Sequence, residues 1–398
     1  MDRLGSYTAG MLEGMKARKS IQAFWPPSLQ AMLLPDTYHK RINSDQTGYL
    51  EMRAMVLHQL GGPVTLEKVV KPTIGPSEAL VRVRATGVGL TVVIMKNTPG
   101  LVTRYPRILG HEVAGEVVEI GNQVSNVAIG DRVVCHFYLT CKVCKFCRSG
   151  RETLCENFGG YVGMACDGGY AEYMKVPALN LCPFPEAISF VEASIISDAI
   201  ATPLHACRQE ARIGPGDSVL VIGAGGGVGI HAVQMAKLCG ASVLAADLSG
   251  EKLKMVKELG ADEIIDCQTP ALQEQTRRLT DGKGVDAVLD FVASTETLEA
   301  GLESLATGGR LVILGFRPPQ VFKKTPRFSV DPLVVLSKGL EIHGSRYVSM
   351  AELIQAVDIV KQGKIKPIVS QTFPLEDAEK VHQLLQENRI TGRAALIL

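Results

Sequence analysis

At 398 residues the chain exceeds what one ordinary hydrophobic core accommodates, so two domains are expected. Its 42 Lys and Arg nearly balance its 41 Asp and Glu, and the formal net charge of +1 excludes a global field that would gather nucleic acid or an anionic membrane. With 46% hydrophobic and 21% charged residues the composition is that of a soluble globular protein, and no apolar run is long enough to span a bilayer.

Residues 1–51 show no clean period and contain the helix breakers Trp25-Pro26-Pro27 and Pro35-Asp36, so they read as an N-terminal extension. They lack the charged-then-apolar pattern of a secretory signal, and the acids Asp2, Glu13, Asp36, Asp45 and Glu51 argue against a transit peptide. A cytoplasmic location is the expectation. Trp25, with Phe24, Leu29, Met32 and Leu33 nearby, forms an apolar stretch that needs a partner.

From Met52 the pattern turns to strands. RAMVLHQLGGPVTLEKV reads as strand, Gly-Gly-Pro turn and strand; ALVRVRATGVGL alternates like a half-buried strand; HEVAGEVVEIG and DRVVCHF are two more. After Phe190 short apolar strands alternate with helix-period segments: SVLVIG, VGIHAVQMAKLCG, SVLAAD, GEKLKMVKELG, then DEIID, AVLDFV, RLVILG and LEIHGS. That alternation predicts a parallel, doubly wound α/β sheet. Two helix patterns, IVSQTFPL and GRAALIL close the chain.

The strand Ser218–Ile222 runs into Gly223, Ala224, Gly225, Gly226, Gly227, Val228 and Gly229 and then a helix. Glycines there permit a tight turn, close approach of a pyrophosphate and helix-on-strand packing, and the helix start offers free N–H groups. The next strand ends at Asp247, 18 residues after Gly229, where a carboxylate accepts both ribose hydroxyls and repels a 2′-phosphate; this favours NAD over NADP. Ser249 and Lys252 beside it offer donors to a phosphate and temper that preference.

Ten Cys are present, and four crowd together as Cys141, Cys144, Cys147 and Cys155. In a cytoplasmic chain such a cluster reads as metal binding. Four thiolates on one centre suit a structural zinc with no open position, with Lys142, Lys145 and Arg148 to offset their charge. The last spacing does not fit a ferredoxin-type iron–sulfur run.

Together with GHEVAGEV at 110–117, GDRV at 130–133, DGGYAEY at 167–173, ELGAD at 258–262 and GR at 392–393, these motifs occur in the order found in the zinc-containing medium-chain dehydrogenase/reductases, the alcohol and polyol dehydrogenase family, which the chain resembles from about residue 52 onward. The resemblance implies a GroES-like catalytic domain from 52–200 and 348–398, with the zinc lobe at about 138–158, and a Rossmann NAD-binding domain at 201–347. It implies an active site in the interdomain cleft, Arg393 on the cofactor pyrophosphate, and a homodimer or homotetramer, with the extension at an interface or over the cleft.

It also implies a second, catalytic zinc, and here the pattern departs. His111, Glu112 and Asp198 match family ligand positions, but Gly89 stands where a Cys ligand is usual and Val92 where an Asp orients the histidine. Either zinc is held by His111, Glu112 and Asp198, with water filling the vacancy, or the three form a metal-free polar cluster. Thr91 matches the hydroxyl that relays the alcohol proton, while Ile94 replaces the usual next relay member. Phe137 resembles a pocket-lining aromatic, and His136 reads as a packed histidine rather than a relay. The expected function is interconversion of an alcohol and an aldehyde or ketone with NAD. Alternatives are a reductase of a conjugated C=C bond such as an enoyl thioester, without catalytic zinc, suggested by Gly89 and the AGGGVG turn, and a non-catalytic nicotinamide-binding protein.

Overall fold

The computed structural model describes residues 50–267 and 272–398. The expected extension, with its Trp25 stretch, therefore lies outside the described residues up to residue 49.

The first hairpin pairs Glu51–Leu57 with Val64–Val70, antiparallel, across a turn in which Gly61 adopts φ +68°. The main catalytic-side sheet runs Leu181–Pro183, Arg132–Cys135, Glu112–Ile120, Glu78–Val88, Arg393–Ile397, Val369–Pro374, and Tyr173–Pro177 also pairs with Glu78–Val88. The alternating segment expected to be half-buried is instead buried at nearly every position. Three strands pair with Glu78–Val88 along its edges, and the helix Phe190–Ser194 packs against it. Its partly exposed members, Arg82 and Arg84, reach Glu116 at 3.4 and 3.3 Å.

The second sheet is all parallel, in the order Glu263–Asp266, Ser242–Asp247, Ser218–Ile222, Val285–Asp290, Leu305–Ile313, Glu341–Gly344. The chain builds outward from Ser218–Ile222 in one direction, then returns to build in the other. That reversal leaves a crevice at the carboxyl ends of the central strands, where the glycine-rich turn lies. Val219, Leu220, Val221 and most of the helix Gly229–Leu238 are buried, as a sheet covered on both faces requires. All described strands between 218 and 344 belong to this sheet, and the strands before and after it belong to three others. Among the described residues no helix is long and apolar enough to cross a membrane.

Two buried histidines brace the join between the sheets. His231 donates from Nδ1 to the Gly227 carbonyl at 2.9 Å and accepts the Ile368 N–H at Nε2, also 2.9 Å. His136 donates from Nε2 to the Val348 carbonyl at 2.8 Å, so it is packed and not in the cleft. Burial lowers their pKa values to about 3 and about 4. The folded protein thus refuses protons that the unfolded chain accepts near pH 6.5, and stability is lost as pH falls from about 6.5 towards 4, by up to about 1.4 kcal/mol per pH unit for each ring. Urea unfolding at pH 7 and pH 5 checks this: the pH 5 value should be lower, and His136→Asn should flatten the difference.

Candidate active site and metal centres

Strand register brings the cleft residues together. Gly87 lies opposite Glu112, and Val88 lies opposite Ala394, so the ends of three strands distant in sequence meet at Gly89, Glu112 and Arg393. Two glycines make the room. A Cβ on Gly87 would lie 2.4 Å from Glu112 Oε2, and one on Gly89 would lie 2.2 Å from Arg393 Nη1. Gly110, at φ +92°, turns the chain just before His111, which lies buried beside the cleft-lining Asp198. Asp198 comes from a helical stretch whose turn at Ile196–Ile200 is widened to the π form, a distortion that recurs at functional sites.

His111 Nε2 stands 3.8 Å from Glu112 Oε1 and 3.7 Å from Asp198 Oδ2, and one ligand atom from each of the three residues falls within 4.8 Å of the others. All three are buried. Neither ring nitrogen of His111 has a hydrogen-bond partner, which is unusual for a buried imidazole and leaves a lone pair available to a cation. One imidazole and two carboxylates are a donor set that suits zinc, so the residues present fit the metal that the sequence motifs imply. Thr202, one helical turn after Asp198, donates to its Oδ1 at 2.9 Å.

Arg393 does not sit as expected of a residue given wholly to a pyrophosphate. Its Nη2 contacts Asp198 Oδ2 at 2.7 Å and Glu112 Oε1 at 2.8 Å, and its Nε donates to Glu112 Oε2 at 3.2 Å. Without a side chain at position 89 the guanidinium slides into the space a cysteine would fill, drawn by two buried carboxylates. The two acids respond differently. Burial alone would raise Asp198, but the His111 ring and Arg393 outweigh it and hold the carboxyl far below the usual range. Burial dominates at Glu112 and pushes it well above its ordinary value despite Arg393.

A cleft of about 1380 Å³ joins this cluster to the glycine-rich turn, with Thr91, Phe137, Asp198, Gly227, Asp247 and Arg393 among its walls. Thr91 lies in the first turn of a short helix, Leu90–Lys96. In the turn, Gly223 adopts φ +79°, and a Cβ on Gly229 would lie 2.1 Å from the Gly223 carbonyl oxygen. Gly225 packs on Lys252, Gly227 on Arg393, and Gly226 and Val228 face the cleft. Asp247 accepts the Gly225 N–H at 2.9 Å through Oδ2 and the Ser249 N–H at 3.1 Å through Oδ1, so it braces the turn as well as facing the cleft. Lys252 donates to Asn388, and the Ser249 hydroxyl caps the helix Gly250–Glu258, so both are already engaged.

In the cysteine lobe Cys141–Cys155 and Cys144–Cys147 sulfurs are 3.5 and 3.6 Å apart, and Cys141–Cys147 and Cys144–Cys155 are 4.0 Å apart. A tetrahedral Zn–S₄ centre has edges of about 3.8 Å, so the four thiols stand at ligand spacing. Backbone N–H groups of Cys141 and Cys144 point at Cys155 and Cys141 sulfur. The expected offset by Lys142 and Lys145 is only partial, because these pair with Glu152 at 2.6 Å and Glu156 at 3.0 Å.

Some cleft residues carry no sequence signature. Tyr347, at φ +49°, stacks 4.7 Å from Tyr138 and 3.9 Å from Phe137, with its buried hydroxyl unpartnered. Only the fold brings it there, from a loop after Glu341–Gly344. Thr202 was legible in principle, being four residues from Asp198 on a helical pattern.

Two sequence-family profiles match: "Alcohol dehydrogenase GroES-like domain" at residues 75–186 and "Zinc-binding dehydrogenase" at 227–362. An NAD-dependent alcohol dehydrogenase of Sulfurisphaera tokodaii is 32% identical over 87% of this chain and all of its own length. An alcohol dehydrogenase of Geobacillus stearothermophilus is 34% identical over 87% of this chain and 99% of its own. Among solved structures, AibC superposes with a TM-score of 0.81 at 35% identity, covering 87% of this chain and 96% of that one.

If the four thiolates hold zinc, Cys147→Ser should lower zinc content by about one per subunit and destabilise the fold by several degrees in thermal unfolding. Elemental analysis with a thermal scan reads both.

Proposed function

Since the chain belongs to the zinc-containing medium-chain dehydrogenase/reductase family, we propose that it interconverts an alcohol and an aldehyde or ketone with NAD, in the cleft between the two sheets, at a zinc held by His111, Glu112 and Asp198. The observation that carries this reading is the meeting of those three side chains, from the start of one strand and a helical turn about 85 residues later, beside a cleft that Asp198 lines together with the glycine-rich turn. Zinc there would supply Lewis acidity to the substrate oxygen.

The chain's own residues supply the rest. The turn at Gly223–Gly229 and the following helix N-terminus receive the dinucleotide phosphates, and Asp247 receives the adenosine ribose. Engagement of Lys252 and Ser249 elsewhere supports NAD over NADP. Bound NAD would supply the acceptor for the hydride of the carbinol carbon, and Thr91 on the cleft wall takes up the hydroxyl proton and passes it on. Because Ile94 occupies the next relay position, that proton leaves by another path. Thr202 orients the Asp198 carboxylate, and Phe137 packs edge-on at 4.6 Å from the His111 ring, limiting its rotation. Thr91, Phe137 and Tyr347 form a largely apolar wall for the substrate.

A homo-oligomer, dimer or tetramer, accords with the apolar edge of the parallel sheet: Leu333 and Leu336 are 69% and 79% exposed beside the edge strand Glu341–Gly344, where Ile342 is also exposed.

Two measurements test the reading. Zinc content should be about two per subunit, and Asp198→Ala should lose about one with loss of at least about 100-fold in kcat on a panel of primary, secondary and aryl alcohols; full activity at one zinc per subunit would overturn it. Asp247→Ser should raise KM for NAD by about tenfold and improve use of NADP, with kcat little changed at saturation; an unaltered cofactor preference would remove Asp247 from its assigned role.

A further inference from the structure

We propose that Arg393 is a cation shared by two anionic sites: its guanidinium blocks the cleft metal site while it rests on Glu112 and Asp198, and cofactor phosphates draw it away and open that site. The inference rests on the reading of His111, Glu112 and Asp198 as metal ligands and goes beyond it.

Three observations carry it. The first is which oxygens are held. Glu112 Oε1 and Asp198 Oδ2 are the atoms that face His111 Nε2; Arg393 Nη2 donates to Asp198 Oδ2 at 2.7 Å and lies 2.8 Å from Glu112 Oε1 without a hydrogen bond to it, while its Nε donates to Glu112 Oε2. A metal ion between the three ligands needs that Asp198 lone pair and the space the guanidinium fills beside Glu112 Oε1. The second is charge. The buried pocket holds two carboxyl groups with the Arg393 guanidinium already against both, and a dication added beside it would leave uncompensated positive charge away from water. One cation must therefore displace the other.

The third is a place for the guanidinium to go. Nη1 lies in a slot between two glycines: an added Cβ would be 2.2 Å from it at Gly89 and 2.3 Å at Gly227. Gly227 belongs to the phosphate-binding turn. The head group is thus already against the turn on one face and against the carboxylates on the other, and a side-chain rotation exchanges the two. The dinucleotide brings a competing pair of negative charges to the first face. Gly89 makes the device possible, since a side chain at that position would expel Nη1 whether or not it bound metal.

Affinities coupled in this way are reciprocal: the factor by which the phosphates tighten metal binding equals the factor by which metal tightens the dinucleotide. Zinc affinity at the cleft is measured on the full-length protein, with the cysteine lobe loaded, by titration against a competing chelator. Arg393→Gln removes the cation. Gly89→Ala keeps it but denies it the slot, at a backbone conformation (φ −117°) open to alanine. Both are expected to bind cleft zinc at least about tenfold more tightly than the wild type, and ADP-ribose, which carries the pyrophosphate without the nicotinamide, is expected to tighten zinc by at least about fivefold in the wild type and not in Arg393→Gln. Retention of one zinc per subunit in the lobe shows that each variant has folded.

Failure of either effect in proteins that bind two zinc ions overturns the sharing of Arg393 while leaving the metal site standing. Wild type and variants that all stop at one zinc overturn both the sharing and the metal site. A wild type that stops at one zinc while the variants take two supports the blockade in its strongest form.

Discussion

The ion pair that Arg393 makes with Glu112 and Asp198 gathers three remote segments into one buried point. Burial of such charges is costly, and the mutual attraction offsets the desolvation only when geometry and hydrogen bonding are good, while removing one partner alone typically costs about 3–5 kcal/mol. Here the geometry is enforced from outside the pair. Antiparallel pairing on both sides of Glu78–Val88 fixes where Glu112 and Arg393 emerge, and Gly87 and Gly89 leave the volume their side chains occupy. Thr202 holds the second oxygen of Asp198. The cluster therefore depends on strand register: a slip of one residue would turn Glu112 and Arg393 to the opposite face of the sheet.

Legibility in the sequence followed how local each signal was. The hairpin at 51–70, the parallel strands, and the strand-turn-helix around Gly223–Gly229 rest on neighbours within a few residues, and they fold as their patterns predict. The cysteine lobe is equally local, with all four thiols inside fifteen positions. Cleft chemistry is different. His111, Glu112 and Asp198 could be named only because motifs carried their positions, and no periodicity predicts that their side chains converge. Arg393 shows the limit most clearly. Its motif pointed to a phosphate, yet its contacts are set by what is missing at position 89, three hundred residues away, and by two carboxylates whose pull depends on depth below the surface. Tyr347 carried no signal at all, because a left-handed tyrosine after a strand looks like any loop residue until tertiary packing stacks it on Phe137 and Tyr138.

The lobe and the cleft divide the metal chemistry by closure. Four thiols at tetrahedral spacing leave no vacancy, and Glu152 links the lobe to the start of the helix Met350–Lys361 through the Met350 N–H and to Lys142. The lobe thereby fastens residues on either side of the parallel sheet in sequence. The cleft cluster, by contrast, has an imidazole without partners and carboxylates of unequal basicity, an arrangement that packing alone would not favour.

The strand Arg393–Ile397 fills the middle of the catalytic-side sheet but is encoded after the whole nucleotide-binding half. During synthesis, the parallel sheet has all its strands before this insert emerges from the ribosome, and the Ala85–Val88 end of Glu78–Val88, beyond its pairing with Tyr173–Pro177, must wait with an open edge while some three hundred residues are added. An unpaired, apolar edge of that kind is a template for wrong partners. The order of translation thus gives the nascent polypeptide a built-in vulnerability: the portion that carries the chemistry closes last, around a scaffold already finished.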